Sequence, residues 1–363
     1  MDLIRPTYVI NELVVRSNIR AMAQKAARNR VPFRPHFKTH QSRLIGHWFR
    51  DEGVTAISVS SPAMADYFAA DGWGDITVAF PVNLPEIDLF NRLASAVRLG
   101  LVVADLPTVE QLDRLLASPV DLYIKIDSGY HRTGLEPDDR EEILAITTAA
   151  TRSHNLRFKG LLTHAGHTYA ARSAEEVRSV ALSSLATMQM IRSWMPEPAN
   201  CLISVGDTPS CSVMEDFGGP NEIRPGNFVF YDLMQMQIGS CSFDQVAGIV
   251  ACPVVAVHPR RNQAVIYGGA VHLSKERLMD SNQQIYGQLV EWDGRRWGAP
   301  LPGSWLVSLS QEHGVIDAPA PIIRSLRPGR FVGIVPVHAC LTANLLRGYR
   351  TLDGDYVDHM QGF

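Results

Sequence analysis

The sequence has little net charge: 34 lysines and arginines stand against 37 aspartates and glutamates, a formal −3 over 363 residues. That balance excludes the broad electrostatic attraction that draws proteins to nucleic acids or anionic membranes. No run approaches the roughly 20 apolar residues that a membrane span requires. The start, Met1 to Pro6, carries two charges and a proline where a secretory leader has its apolar core. Cysteine is sparse as well. Five residues (Cys201, Cys211, Cys241, Cys252 and Cys340), an odd number, widely spaced and with no Cys-x-x-Cys, argue against a disulfide framework. Internal repeats and low-complexity segments are absent. These absences point to a cytoplasmic protein with a small-molecule substrate and neither nucleic-acid nor membrane partners.

What is present is 46% apolar residues, enough to bury the core of a barrel-sized domain and of a smaller second one. From about residue 30, short β-type runs alternate with amphipathic helical stretches, the pattern of parallel βα units. Candidate strands are Pro32 to Phe37, Thr55 to Ser60, Asp75 to Phe80, Leu99 to Ala104, Asp121 to Asp127, Phe158 to His164, Leu202 to Gly206 and Glu222 to Phe230. Eight strands are the number that closes a TIM-like (β/α)8 barrel. Between them, helices are expected over Pro62 to Ala70, Pro85 to Leu93, Pro107 to Leu116, Asp138 to Ala150 and Ala174 to Trp194, three of them opening on proline.

After about residue 240 the texture changes to β-branched runs (Val254 to Val257, Ala264 to Ile266, Trp305 to Leu309, Phe331 to Val335) divided by Gly, Pro and Asp-Gly turns. The expected fold class is α/β, a barrel over residues 16–238 followed by a C-terminal β-domain over residues 239–363. Residues 1–15 precede the barrel, and the run 7–15 (TYVINELVV) reads as a strand that returns to pair with the β-domain.

Five clusters could carry chemistry. Arg34-Pro-His36-Phe-Lys38-Thr-His40 lies at the carboxyl end of the first candidate strand, where such barrels place their active sites. A lysine there can form Schiff bases if burial or a neighbouring cation such as Arg34 depresses its pKa; position alone does not separate it from a solvated loop lysine. Lys125-Ile-Asp127-Ser-Gly129-Tyr-His131-Arg132-Thr-Gly134 could aim Arg132 at an anionic oxygen, or be an ordinary turn. Thr163-His164-Ala-Gly166-His167-Thr-Tyr169 crowds polar rings at another strand end. Ser204-Val-Gly206-Asp207-Thr208-Pro-Ser210, with Glu222-Ile-Arg224-Pro-Gly226-Asn227, offers small residues and free N–H groups for a phosphate, at the loops where barrels usually bind one. In the β-domain, His338-Ala-Cys340 would turn imidazole and thiol to one face of a strand, a pair suited to zinc, although His-x-Cys is also common by chance.

Taken together, RPHFKTH (34–40), DSGYHRTG (127–134), GHTY (166–169), SVGDTPS (204–210), EIRPGNFVFYD (222–232), EHG (312–314) and HAC (338–340) resemble the D-threonine aldolase and D-serine dehydratase family, within the fold type of alanine racemase. The resemblance runs along nearly the whole chain. It implies a barrel holding pyridoxal 5'-phosphate, a β-domain contributing a divalent metal site, and a homodimer. Lys38 matches the Schiff-base lysine and Arg132 the arginine beside the cofactor. His36, His167 and Tyr169 fall in ring-contacting segments, and Gly206, Asp207, Thr208, Gly226 and Asn227 in phosphate loops. His338 and Cys340 match the metal pair, the cysteine favouring zinc over the manganese-type metals of aldolase-like members.

The implied reaction is β-elimination from a β-hydroxy D-amino acid, with Lys38, Arg132 and His338 as catalytic residues. The alternative is retro-aldol cleavage to glycine and an aldehyde; racemisation or cofactor holding without turnover ranks below both. The chain departs from the family at Val337, at Leu341, at Ile266-Tyr-Gly-Gly269 and at Met64, positions that bear on substrate choice.

Overall fold

The structure, a computed structural model, describes residues 3–361. The chain opens with β1 (Thr7–Ile10), whose exit is fixed by Asn11: its side chain accepts the N–H groups of Leu13 and Val14 and caps α1 (Glu12–Arg28). The expected strand over 7–15 therefore ends at Ile10, and the β-branched Val14 and Val15 belong to a helix. A loop containing Lys38 leads to α2 (Arg43–Asp51).

Six βα steps follow: β2 (Ile57–Val59) and α3 (Pro62–Ala69), β3 (Asp75–Pro81) and α4 (Ile87–Ala96), β4 (Arg98–Val103) and α5 (Leu106–Leu115). Then come β5 (Val120–Lys125) and α6 (Arg140–Arg152), β6 (Leu156–Leu162) and α7 (Ala174–Arg192), and β7 (Leu202–Val205) and α8 (Thr208–Val213). Strand β8 (Glu222–Ile223) and α9 (Leu233–Ile238) complete this part. Three of the helices start on an oxygen-bearing cap with proline in the first turn, Ser61 before Pro62, Asp105 before Pro107 and Asp207 before Pro209, and a Ser173 cap without proline before α7 shows that the oxygen is the shared element.

Strands β2 to β8 form a parallel sheet in sequence order. The first expected strand, Pro32 to Phe37, is not continuous; it survives as two isolated bridges, Phe33 to Ile223 and His36 to Ser58. Those bridges touch both edges of the sheet, with Arg34 N–H donating to Ile223 O at 3.0 Å and Phe37 N–H to Ser58 O at 2.9 Å. The ring closes through them. Inside the seam, Arg34 binds Glu222 and Asp75, each at 2.6 Å. It is a buried, neutralised strut of the barrel and does not line the cavity beside Lys38, contrary to the expected role as a pKa-depressing neighbour.

The remaining elements are β9 (Gly248–His258), β10 (Gln263–Tyr267), α10 (Ala270–Leu273), the small hairpin β11 (Leu278–Asp280) and β12 (Gln283–Ile285), β13 (Gly287–Trp292), β14 (Trp297–Leu309) and β15 (His313–Asp317). After α11 (Ala320–Ser325) come β16 (Phe331–Pro336), α12 (Ala339–Leu346), β17 (Tyr349–Thr351) and β18 (Tyr356–Val357). They build a mostly antiparallel sheet in which β1 lies between β9 and β17. The first strand of the chain is thus a central strand of the last sheet, and Tyr8 packs against Phe230 and Tyr349 between the two halves.

Candidate active site

A cavity of about 660 Å³ opens at the carboxyl ends of the barrel strands. Lys38, Arg132, Tyr169, Thr208 and Asn227 line it from the barrel; Glu276, His338 and Cys340 close it from the β-domain.

The Arg132 loop is shaped by one carboxylate. Asp127 Oδ1 accepts the N–H groups of Gly129, Tyr130 and His131 at 2.8–3.0 Å, and its Oδ2 accepts that of Arg132 at 3.0 Å. Burial works against the charge, yet these four donors hold the Asp127 carboxyl below its usual range. Gly134 ends the loop at φ 124°, where a Cβ would stand 2.6 Å from Asp127 N, so only glycine fits.

Beside it, Lys125 is buried and forms no ion pair among the described residues. Burial first, then Arg224 and Arg132, push its pKa down to about 7. Arg224 donates only to neutral partners, to Ser204 Oγ at 2.7 Å and to Thr163 O at 2.5 Å. Gly206 lies so close that a Cβ there would meet Arg224 N at 2.6 Å.

At the small-residue end, Thr208 Oγ1 accepts Phe228 N–H at 3.2 Å, which leaves its own proton to donate. Asp207 lines the cavity, but its carboxylate is occupied: it caps α8 through Ser210 N–H at 2.7 Å and accepts Thr168 Oγ1 at 3.0 Å. Burial raises its pKa to about 6. Asn227 donates to Asp232 at 2.7 Å, while its Oδ1 is buried without a partner.

Of the expected ring contacts, Tyr169 and His36 line the cavity and His167 does not. The turn over Gly166–Ala170 sets His167 against Gly129, where a Cβ would lie 3.6 Å from its Nε2. His164 takes the place instead: its Nδ1–H donates to Gly206 O at 2.7 Å, and burial, with Lys38 and Lys125 nearby, holds it neutral. His36 is likewise kept neutral, by burial and then by Lys38 and Arg224.

His338 and Cys340 do not sit on a strand. Strand β16 stops at Pro336, His338 caps α12, and Cys340 is its second residue. The helical turn still sends both to the cavity. His338 Nδ1 donates to Asp232 Oδ2 at 3.3 Å, which leaves Nε2 as the ring atom available to a ligand in the cavity. Asp232 is fully buried and also accepts Ala339 N–H at 2.8 Å. Burial opposes charge on both members of the pair, but their mutual attraction outweighs it, raising the His338 pKa well above its usual value and lowering that of Cys340.

This donor set fits the expected groups. Four basic side chains (Lys38, Lys125, Arg132, Arg224) line the cavity against two carboxylates, Asp207 and Glu276, an excess suited to a phosphorylated, phenolic cofactor. An oriented imidazole beside a low-pKa thiol suits a soft divalent metal. Among the described residues no group of three or more His, Cys, Asp or Glu is arranged to hold a metal ion, so His338 and Cys340 stand as a pair. Reading the sequence singled out Lys38, Arg132, His338 and Cys340; it gave no role to Lys125, His164, Arg224, Asp232 or Glu276, although the first three stand inside the quoted clusters at strand ends.

The chain is similar to known proteins along nearly its whole length. Residues 10–233 match the family described as alanine racemase, N-terminal domain, and residues 247–352 the putative serine dehydratase domain. The D-threo-3-hydroxyaspartate dehydratase of Delftia sp. (strain HT23) is 30% identical over 98% of this chain and 96% of its own. Its solved structure superposes with a TM-score of 0.91, covering 99% of this chain and 98% of that one at 28% identity. The D-serine dehydratase of Dictyostelium discoideum is 25% identical over 98% of this chain and 94% of its own. The D-threonine aldolase of Filomicrobium marinum, at 22% identity and a TM-score of 0.82 over 99% of this chain and 97% of its own, shares the fold. No helix among the described residues is long and apolar enough to cross a membrane.

Proposed function

The chain belongs to the alanine racemase-type family of pyridoxal-phosphate-dependent enzymes, in the group whose barrel is followed by a serine dehydratase domain, and from that premise we propose that it is a metal-assisted lyase removing water from a β-hydroxy D-amino acid. The observation that carries this reading is the placement of Lys38 and the His338–Cys340 pair on walls of one cavity, where a single small substrate can meet both.

Pyridoxal phosphate, when bound, supplies an electron sink for the pair released at Cα. Lys38 would hold it covalently, and Arg132, Arg224, Thr208 and the loops at Gly206 and Gly226 would surround its anionic groups. Once substrate has taken its place, Lys38 Nζ is free to accept the Cα proton. His338 Nε2 and Cys340 Sγ would hold zinc, whose Lewis acidity favours departure of the β-hydroxyl. Asp232 keeps the His338 ring turned toward that position. The water lost at Cα and Cβ is regained on hydrolysis, so that the D-amino acid becomes a 2-oxo acid and ammonium.

Product analysis with D-threonine, in the presence of pyridoxal phosphate and zinc, tests the reading. 2-Oxobutyrate with ammonium is the expected result. Glycine with acetaldehyde would replace dehydration by retro-aldol cleavage.

A further inference from the structure

The two carboxylates on the cavity wall differ in their employment. Asp207 is committed to capping α8. Glu276 pairs with no basic side chain among the described residues, and only its backbone N–H is engaged, donating to Ser274 Oγ at 3.2 Å. The segment bearing it is held in a strained form: Ser274 is buried with φ 65°, in the left-handed region that non-glycine residues seldom occupy. Lys275, Glu276 and Arg277 are all exposed, and of the three only Glu276 lines the cavity.

That side chain shares the cavity with His338 and Cys340. Leu273 O accepts Thr342 Oγ1 at 3.4 Å, which docks the segment before Glu276 onto α12, the helix that carries Cys340. The cavity's lysines and arginines all come from the barrel, so its β-domain wall carries Glu276 and no basic side chain other than His338.

We propose that Glu276 selects substrate by the charge on Cβ, disfavouring β-hydroxy D-amino acids that carry a β-carboxylate and directing the enzyme to neutral ones such as D-serine and D-threonine. This rests on the lyase reading above. A substrate whose β-hydroxyl meets His338 and Cys340 turns its remaining Cβ substituent toward the same wall. Hydrogen or methyl is indifferent to Glu276. A carboxylate is brought toward a like charge in a partly enclosed site, where repulsion discriminates about tenfold or more.

The test compares kcat/KM for D-serine and D-threo-3-hydroxyaspartate in the wild-type holoenzyme, E276Q and E276D. D-Serine should be preferred by the wild type, the ratio should move about tenfold toward hydroxyaspartate in E276Q, and E276D should keep the wild-type ratio. A wild type that prefers hydroxyaspartate, or a ratio that E276Q leaves within about twofold, overturns the proposal. Binding of D-aspartate against D-alanine, followed through the absorbance of the bound cofactor, gives the same comparison without turnover. If no β-hydroxy D-amino acid is dehydrated, the lyase reading fails, while a preference for D-alanine that E276Q erases still upholds charge selection by Glu276, and its absence removes it.

Discussion

Thr39 Oγ1 lies 3.1 Å from Cys340 Sγ, so the residue next to the proposed cofactor lysine touches the proposed metal thiolate directly. Two positions on, Gln41 Nε2 donates to Lys38 O and to Asn344 Oδ1, both at 3.1 Å. The Lys38 loop and α12 are thereby stitched at two points across the domain boundary. A hydroxyl that donates to the thiolate stabilises it as a ligand. Thr39→Val should lower zinc affinity roughly tenfold, with Thr39→Ser restoring most of it; zinc titration of the purified protein reads the effect. Unchanged affinity in the valine variant would show that the contact is packing alone.

The proposed reaction asks most of Lys38. Lys38→Ala should lose the absorbance of covalently held cofactor and reduce turnover about a thousandfold or more, because the proposal makes one amine both attachment point and base. Absorbance spectra with steady-state rates check both parts. Rapid turnover by the variant would remove Lys38 from the chemistry.

Metal removal should separate the two halves of the site. Chelation is expected to abolish dehydration while cofactor absorbance persists, with zinc restoring activity. His338→Ala should behave as the chelated protein does and resist rescue by zinc. Full activity after verified metal depletion would leave His338 and Cys340 without the proposed role.

Asp127 should act through Arg132. Asp127→Ala frees four backbone N–H groups at once and lets the loop relax. A fall in kcat/KM of about 10- to 100-fold with weaker cofactor binding is expected, since misplacement by an ångström has effects of that size. Asp127→Asn, which keeps one acceptor oxygen, should retain more of both; equal losses in the two variants would argue against positioning.

Much of this architecture is legible in the chain because parallel barrel strands are buried on both faces and read as apolar runs, as in β5, where every residue is buried. The loops after those runs hold the lysine, arginine and glycines of the site. Local reading fails where tertiary context decides. Val14 and Val15 favour a strand by type, but the Asn11 cap starts a helix. His338 and Cys340 extend a β-branched run, yet the chain leaves the sheet at Pro336 and reaches the cavity as a helix start. His167 and His164 cannot be told apart until the turn over Gly166–Ala170 rotates one of them away. Lys125 and Arg224 are visible as residues, but the fact that they lack an anionic partner belongs to the folded protein.

That missing partner has a consequence for stability. With a folded pKa of about 7 against its ordinary 10.5, Lys125 is neutral in the folded chain and protonated in the unfolded one between those values. The unfolded state then binds more protons, so folding stability rises with pH across that window; below about 7 the full penalty of burying a charge is present. Cofactor-free wild type should gain roughly 5 °C in Tm relative to Lys125→Met between pH 7 and pH 9.5, measured by thermal unfolding of both proteins in matched buffers. No relative gain would mean that Lys125 is charged and solvated in the free protein. Adding pyridoxal phosphate should flatten the gain, because its anionic groups favour the protonated amine and lift the folded pKa toward the unfolded value. A gain that persists unchanged with cofactor bound would place Lys125 beyond the reach of those groups and leave Arg132 and Arg224 as the cations that meet them.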